Sequence, residues 1–507
     1  MKDNHLLDVL GDVDPELVAE AAPKHLNKAV ELSRPAQRRI RWRRWIPALA
    51  AMLVVAILAG AMLGDVPGLL FPETQTADGG HNALETEPPA VDIPASYRLS
   101  TATYPLMAKY PTEGYDREKY NAWRESVRQQ ELYRGAGENL DPFFEKTILQ
   151  FLSGAGTENA VYSPLNVYLA LAMLAETTAG ESRQQILDLL ECNSIEDLRT
   201  QVHAIWNANY RDDERTVSIL GNSVWLDAEL PYQQETLDRL AKYYYASAFQ
   251  GQMGSDEYNK VLHAWMNEQT GNLLEDQIND IKMDVSTVFA LVSTVYYEGG
   301  WSSPFTANDI TEEIFYGALG ESKCKMMHRR LTDYTYRWGD RFVAVGLSLS
   351  DGEMDFILPD EGVRVEDLLS DTQALRYIVS GDAEDRQRRV IVNLSIPQFD
   401  VESQMDLISN LKKLGITDCF EEGKADFSPL LLSSDTVVGK IQHGARVVVN
   451  EQGVKAAAYT YIEDVFISPL PEELKEVDFV VDRPFIFVLR NSDGLPLFVG
   501  VVNQVNG

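Results

Sequence analysis

The sequence predicts an α+β domain preceded by one membrane-spanning helix. Three observations carry that expectation. Residues 46–64 (IPALAAMLVVAILAGAMLG) form an unbroken apolar stretch without a charge. Beyond residue 141, strand-like and helical runs follow one another without strict pairing. The long strand-like runs cluster late, as in folds that set large antiparallel or mixed sheets against helices. Between these regions, residues 65–100 are rich in Pro, Gly and acidic or small residues and read as a stalk.

Composition bounds what such a chain can do. Across 507 residues, 45 Lys+Arg stand against 77 Asp+Glu, a net charge of −32 that repels phosphate backbones and sets nucleic acid aside as a partner. A hydrophobic content of 45% is ample for a core. Cys192, Cys324 and Cys419 are odd in number and widely spaced, so neither a disulfide framework nor a zinc knuckle can be read from them. The Cys324–His328 spacing could offer two metal ligands, but no further Cys/His pair accompanies it. An ordinary thiol and an ordinary His are expected there, and no metal.

Taken from the N-terminus, residues 1–45 read as a cytoplasmic tail. Arg34, Arg38, Arg39, Arg41, Arg43 and Arg44 precede the apolar stretch and Asp65 follows it, so the positive-inside rule retains the tail and exports the rest. At ~1.5 Å per residue the stretch spans about 28 Å, close to the ~30 Å hydrocarbon core of a bilayer. This predicts a signal-anchor over 46–64. The alternative is secretion after signal cleavage near Ala61, where Ala59-Gly60-Ala61 offers small residues. Sparse cysteine and a short tail before an anchor suggest a bacterial surface.

Residues 65–137 are then an extracellular linker with one helix, expected over 116–134. Residues 138–507 form the globular domain. Ser163-Pro164 before LNVYLALAML is a helix start, with Ser as N-cap and Pro in the first turn. Strands are expected over 216–226, 288–297, 390–396, 445–450, 485–490 and 496–502, and helices over 231–244, 260–270 and 405–414.

A search for catalytic motifs returns little. GxSxG and HExxH are absent, the Gly346-Leu-Ser348-Leu-Ser350 run lacks the closing Gly and reads as a strand, and no GxGxxG occurs. The seven histidines scatter singly. The chain is not expected to be an enzyme.

A set of motifs in fixed order resembles the serpins. They include NAVYSPLNVYLALAMLAETTAG (159–180), GNSVWLD (221–227), FALVSTVYYEGGWSSPF (289–305), VNLSIPQFD (392–400), VNEQGVKAAAYT (449–460) and DRPFIFVLRNSDGLPLFVGVVNQ (482–504). The resemblance covers about residues 138–507. It implies three β-sheets, eight or nine helices and an exposed reactive-centre loop. It places Ser163, Asn166, Ser293 and His443 in the polar "shutter" under the main sheet, with Asn166 where Ser is usual and Ser293 where Asn is usual. This reads as a compensated exchange that keeps the donor and acceptor inventory. Trp301 matches the "breach" at the top of that sheet.

The resemblance also makes Glu451, Gly453, Val454, Ala456, Ala457, Ala458 and Thr460 a hinge. An inhibitory serpin inserts its cleaved loop as a new strand, so alternate side chains must enter the packed interior. Val454, Ala456, Ala458 and Thr460 form the inward set, all small or β-branched and uncharged. Lys455, Ala457, Tyr459 and Tyr461 face outward. Counting from the hinge puts the reactive bond at Ile467–Ser468, with Phe466–Ile467 as second choice. Counting back from the C-terminal side gives Leu470–Pro471 instead, which Pro after the scissile residue disfavours. No Lys or Arg occurs between Ala456 and Leu474, so an elastase-like or chymotrypsin-like target is expected rather than a trypsin-like one. The resemblance thus implies a monomeric suicide-substrate inhibitor of serine proteases, without a cofactor, and the apolar stretch over 46–64 makes it membrane-anchored and extracellular. The alternative is a non-inhibitory serpin-fold binding or structural protein at the cell surface.

Overall fold

The computed structural model describes residues 93–112, 116–137, 139–278, 281–432, 436–438, 441–454 and 474–505. The expected tail, anchor and cleavage site in 1–92 lie outside these residues, as do most of the hinge and the expected reactive bond. Among the described residues, no helix is long and apolar enough to cross a membrane.

The chain begins with β1 (Arg98–Ser100) and α1 (Arg117–Glu131), whose N-cap Asp116 accepts from the amides of Glu118 and Lys119. Next come α2 (Asp141–Leu152), β2 (Ala160–Tyr162) and α3 (Pro164–Thr177). α3 is apolar nearly all round and buried along its length, which is what lets it lie in the interior against β-strands of both sheets. There follow α4 (Gly180–Leu189), α5 (Ile195–Asn209), β3 (Arg211–Asp212), β4 (Thr216–Asp227) and α6 (Gln234–Tyr244). β5 (Ala246–Gly251), α7 (Asp256–Gln269), α8 (Glu275–Ile278) and β6 (Phe289–Gly300) lead into β7 (Ile310–Gly317), β8 (Gly320–Trp338), β9 (Phe342–Ser348) and β10 (Glu353–Pro359). The remainder is α9 (Val365–Leu369), α10 (Thr372–Ser380), β11 (Gln387–Pro397), β12 (Phe399–Asp406), α11 (Ile408–Lys413), β13 (Gln442–Val449), β14 (Gly453–Val454), β15 (Glu476–Val480), β16 (Phe485–Arg490) and β17 (Pro496–Val502).

Among the described residues these strands form two continuous ladders, where three sheets were expected. The main sheet has the order β1-β5-β4-β6-β14-β13-β12, with β3 added to β4. The second has the order β15-β11-β8-β9-β10-β16-β17-β2, with β7 added to β8. The physical reason is β8. It pairs with β7 at one end, with β9 at the other and with β11 between, through one register shift at Val390/Val392, so one bent ladder joins what would otherwise be separate sheets.

Two further expectations differ from the structure. The run over 405–414 is not one helix: Phe399–Asp406 pairs residue for residue with β13, and the helix starts at Ile408. Tertiary pairing overrides the local helical tendency of Met405 and its neighbours. Residues 93–137 contain the expected helix but do more than link. Ile93 is 3% exposed in a core cluster with Trp225, Phe249 and Tyr258, and β1 joins the main sheet through β5.

Candidate functional site: the slot in the main sheet

Among the described residues, the centre of the main sheet is occupied by Gly453 and Val454. Gly453 pairs with Gly300 of β6, and Val454 lies between Gly299 of β6 and Val449 of β13, antiparallel to both. β14 is thus the start of a strand wedged between β6 and β13. Gly453 is needed because the backbones nearly touch: a Cβ there would lie 2.7 Å from Gly300 Cα and 3.0 Å from Trp301 N. Val454 is 2% exposed, on the same buried face as His443, Ala445, Val447 and Val449 of β13.

Beyond Val454, where no further β14 residue is described, the sheet holds a cavity of about 530 Å³. Its lining comes from both sides of the sheet: Val167 and Leu171 of α3, Leu262 and Met266 of α7, and the edges of β6 and β13 at Ser293 and His443. Phe289, Leu291 and Val292 of β6 are only half-buried there, although they sit mid-sheet. The cavity is a slot through the sheet.

The four shutter residues come together beneath this slot. Ser163 caps α3, its Oγ accepting from Asn166 N at 3.3 Å and donating to Leu497 O of β17 at 2.7 Å. Its own amide donates to His443 Nε2 at 3.1 Å, which leaves the ring proton on Nδ1. Burial drives the His443 pKa down to about 4, so the ring is neutral at pH 7. Asn166 Nδ2 donates to the backbone carbonyl of Ser293 at 3.2 Å, not to its side chain. Ser293 Oγ is buried and without a hydrogen-bond partner. The Asn166/Ser293 exchange therefore does not balance between side chains as the sequence suggested: the amide reaches past the short hydroxyl to the main chain. The first turn of α3 straps the slot, touching β6 through Asn166 and β13 through Ser163.

At the upper end Trp301, 3% exposed, donates Nε1–H to Asn450 O at 2.9 Å and its backbone N–H to Gln452 O at 2.9 Å. Asn450 Oδ1 accepts from the amides of Gln452 (2.9 Å) and Gly453 (3.2 Å), building the turn that aims β14 into the sheet. Glu451 is fixed at both ends: its carbonyl accepts from Phe305 N at 2.9 Å and its carboxylate from Gln398 Nε2 at 2.7 Å. Ala456, Ala457, Ala458, Thr460, Phe466, Ile467 and Ser468 lie outside the described residues. The sequence reading missed Asn450, Gln398 and the Gly299-Gly300 pair. A consecutive Gly pair at the end of an apolar strand is the signal that marks a close backbone approach.

The Cys324–His328 pair offers no metal site. Both stand on β8 four residues apart, and at ~3.3 Å per residue that separates them by about 13 Å. Burial pushes the Cys324 thiol up to about 11, while His328 is engaged by Ser395 Oγ (2.9 Å) and Thr311 Oγ1 (2.7 Å). Among the described residues, no cluster of His, Cys, Asp and Glu could hold a metal ion.

A family model described as "Serpin (serine protease inhibitor)" matches residues 143–505. The chain belongs to the serpin family. It is similar to alpha-1-antiproteinase 2 of Equus caballus, with 29% identity over 361 residues, 69% of this chain and 82% of the relative. It is also similar to leukocyte elastase inhibitor A of Rattus norvegicus, with 27% identity over 373 residues, 68% of this chain and 93% of the relative. These relatives are mammalian, so they lend no support to the bacterial setting suggested by cysteine usage. Among solved structures, the native state of a thermophilic serpin, Tengpin, superposes with a TM-score of 0.64 at 22% identity, covering 80% of this chain and 97% of that one. That likeness establishes the serpin fold. Serpins act on proteases as inhibitors, and among the described residues of this serpin a cavity lies between β6 and β13 beyond Val454.

Proposed function

We propose that this serpin is a suicide-substrate inhibitor of extracellular serine proteases, elastase-like or chymotrypsin-like, that traps them by inserting its cleaved loop into the slot. The observation that carries the proposal is the register set by Val454. Continued down the sheet, it would place Ala456 between Tyr297 and Val447, Ala458 between Val295 and Ala445, and Thr460 between Ser293 and His443. These are the buried-face positions, and each incoming residue is small. Thr460 would bring a hydroxyl to the unpartnered Ser293 Oγ. On the other face, Ala457 would meet the large Tyr296 and Arg446, whereas the large Tyr459 would meet Thr294 and Gly444. Bulk faces space at both positions, which supports insertion in this register.

The chemistry is the protease's own. Its Ser attacks the Ile467 carbonyl, the bond to Ser468 breaks, and an ester joins Ile467 to the protease. Insertion of about 14 residues at ~3.3 Å each would then carry the protease about 46 Å along the sheet. Pulling the ester out of the oxyanion hole leaves it unhydrolysed. The proposal includes the anchor over 46–64, supported by the arginines before it, with the serpin domain outside the cell. Protease shaving of intact cells should remove the domain and spare an epitope within 1–45; a protected domain would refute the topology.

The function is tested by incubating the protein with elastase, chymotrypsin and trypsin. A stoichiometric SDS-stable complex with elastase or chymotrypsin, and a new N-terminus at Ser468, is the expected result. Turnover of the loop without any complex would favour the non-inhibitory reading.

A further inference from the structure

Beyond Val454, α3 lies on one face of the gap between β6 and β13, and the chain that connects α7 to α8 lies on the other. Leu274, Ile278 and Ile281 line the cavity from that side. This connector is fastened to the β6 half of the sheet. A Cβ on Gly271 would stand 2.8 Å from the Tyr296 ring of β6. Leu274 and Ile278 are buried in one apolar cluster with Leu262 and Met266 of α7, Trp225 of β4 and Phe249 of β5, and Ala290 and Val292 of β6 pack against it. α7, the connector and α8 therefore go with β6, β4 and β5.

Arg446 of β13 reaches the connector from the opposite half. Its Nη1 donates to Leu273 O at 3.1 Å. Its Nε and Nη2 donate to the two carboxylate oxygens of Asp400 of β12 at 2.9 and 2.6 Å. Glu402, its direct partner in the β12–β13 register, lies 4.0 Å from Nε. The bidentate pair with Asp400 fixes the plane of the guanidinium and aims its remaining edge at the carbonyl. Arg446 and Tyr296 stand level on either side of the gap: in the register set by Val454, they are the two residues that would flank Ala457. The bond to Leu273 O thus crosses the gap on its outer face, near the point where strand completion would begin.

A strand completed in this gap has to come to lie beneath the connector. With a protease joined to its end it cannot be threaded through, so the connector must lift and settle again. A directional bond is lost over a short displacement, whereas apolar contact is not directional, so the connector parts on the Arg446 side. We propose that Arg446 is a positioning residue for trapping: it fastens the connector between α7 and α8 to β13 across the gap, and strand completion has to wait for the release of Leu273 O. The fastening stands on the bonds themselves; its part in trapping rests on the insertion reading. Arg446 acts through the connector and on no reacting atom.

The test uses the full-length protein as wild type, as Arg446→Gln, which loses the cationic fork, and as Arg446→Lys, which keeps a cationic donor. Hydrogen exchange reads the fastening. Amides of the connector, among them those of Leu273 and Glu275, which donate to Thr270 O and Asn272 O, should exchange roughly tenfold faster in Arg446→Gln, the factor for one charge-assisted bond. Arg446→Lys should lie closer to wild type, and amides of β16 and β17 should be unchanged in both. Rapid mixing with fluorophore-labelled elastase reads the trapping: protease movement after loop cleavage should be several-fold faster in Arg446→Gln. Unchanged connector amides, or a uniform rise that includes β16 and β17, would overturn the fastening. Faster connector exchange with an unchanged rate of protease movement would overturn its part in trapping. If wild type moves no protease at all, the insertion reading fails, and the exchange result alone decides the fastening.

Discussion

His443 shows how one side chain connects burial to behaviour. Its ring is neutral because the folded protein pushes its pKa from 6.5 to about 4 by burial. The unfolded chain binds this proton more readily than the folded one, so the stabilisation is complete above pH 6.5 and is lost as pH falls towards 4. A shift of that size corresponds to something on the order of 3 kcal/mol. Glu353 works in the opposite sense: burial, and then the neighbouring Asp355, raise its pKa to about 7, so acidification favours the folded state through that group. Urea unfolding of wild type and His443→Gln between pH 7 and 4 cancels the Glu353 contribution. The difference between the two proteins should shrink by about 3 kcal/mol over that range. A constant difference would mean that His443 is not buried as a neutral acceptor. At this scale the sequence named Ser163, Asn166, Ser293 and His443 together and the structure brings them together, but their wiring was not legible. Residue types do not reveal that Asn166 bonds to a main-chain carbonyl.

At the scale of elements, the long apolar runs declared themselves. β4, β6, β16 and β17 match their expected positions to within a few residues, because a strand buried in a sheet must be apolar or alternate with period two. β8 was not legible, since its residues pass between different environments and no single period survives over nineteen positions. β14 was beyond reach for another reason: its described residues, Gly453 and Val454, carry no local strand signal and pair only because β6 and β13 flank them. The helices are held by a feature equally invisible in one dimension. Glu176 of α3 is fully buried, and its carboxylate accepts from Arg199 of α5 (2.7 and 2.8 Å), Arg239 of α6 (2.7 Å) and Tyr244 of α6 (3.0 Å). The two guanidiniums are themselves largely buried, so removing the carboxylate leaves each with only an exposed carboxylate, Glu196 for Arg199 and Glu235 for Arg239. Glu176→Gln should therefore cost about 2–3 kcal/mol in urea unfolding, the range for a lost charge-assisted hydrogen-bond set whose donors keep other partners. A loss under about 1 kcal/mol would show that water compensates the arginines instead.

For the whole molecule, the serpin fold was legible from motifs in order, whereas the state of the main sheet was not. Among the described residues the central strand of the main sheet is begun at Gly453–Val454, and the proposed function is its continuation on loop cleavage. Insertion would add roughly ten backbone hydrogen bonds at ~1 kcal/mol net each. For a domain of this size, a gain on the order of 10 kcal/mol raises the melting temperature by roughly 10–20 °C or more. Val454→Arg should abolish the gain, because its charge would be forced unpaired into the buried face beside Val449. The most direct measurement is the thermal midpoint before and after a single cut within 455–473, made by a protease that is not itself trapped. The account predicts a cleaved wild type that melts at least about 10 °C higher than the intact protein, and a cleaved Val454→Arg that does not. A cleaved wild type that melts at or below the intact protein would contradict strand insertion.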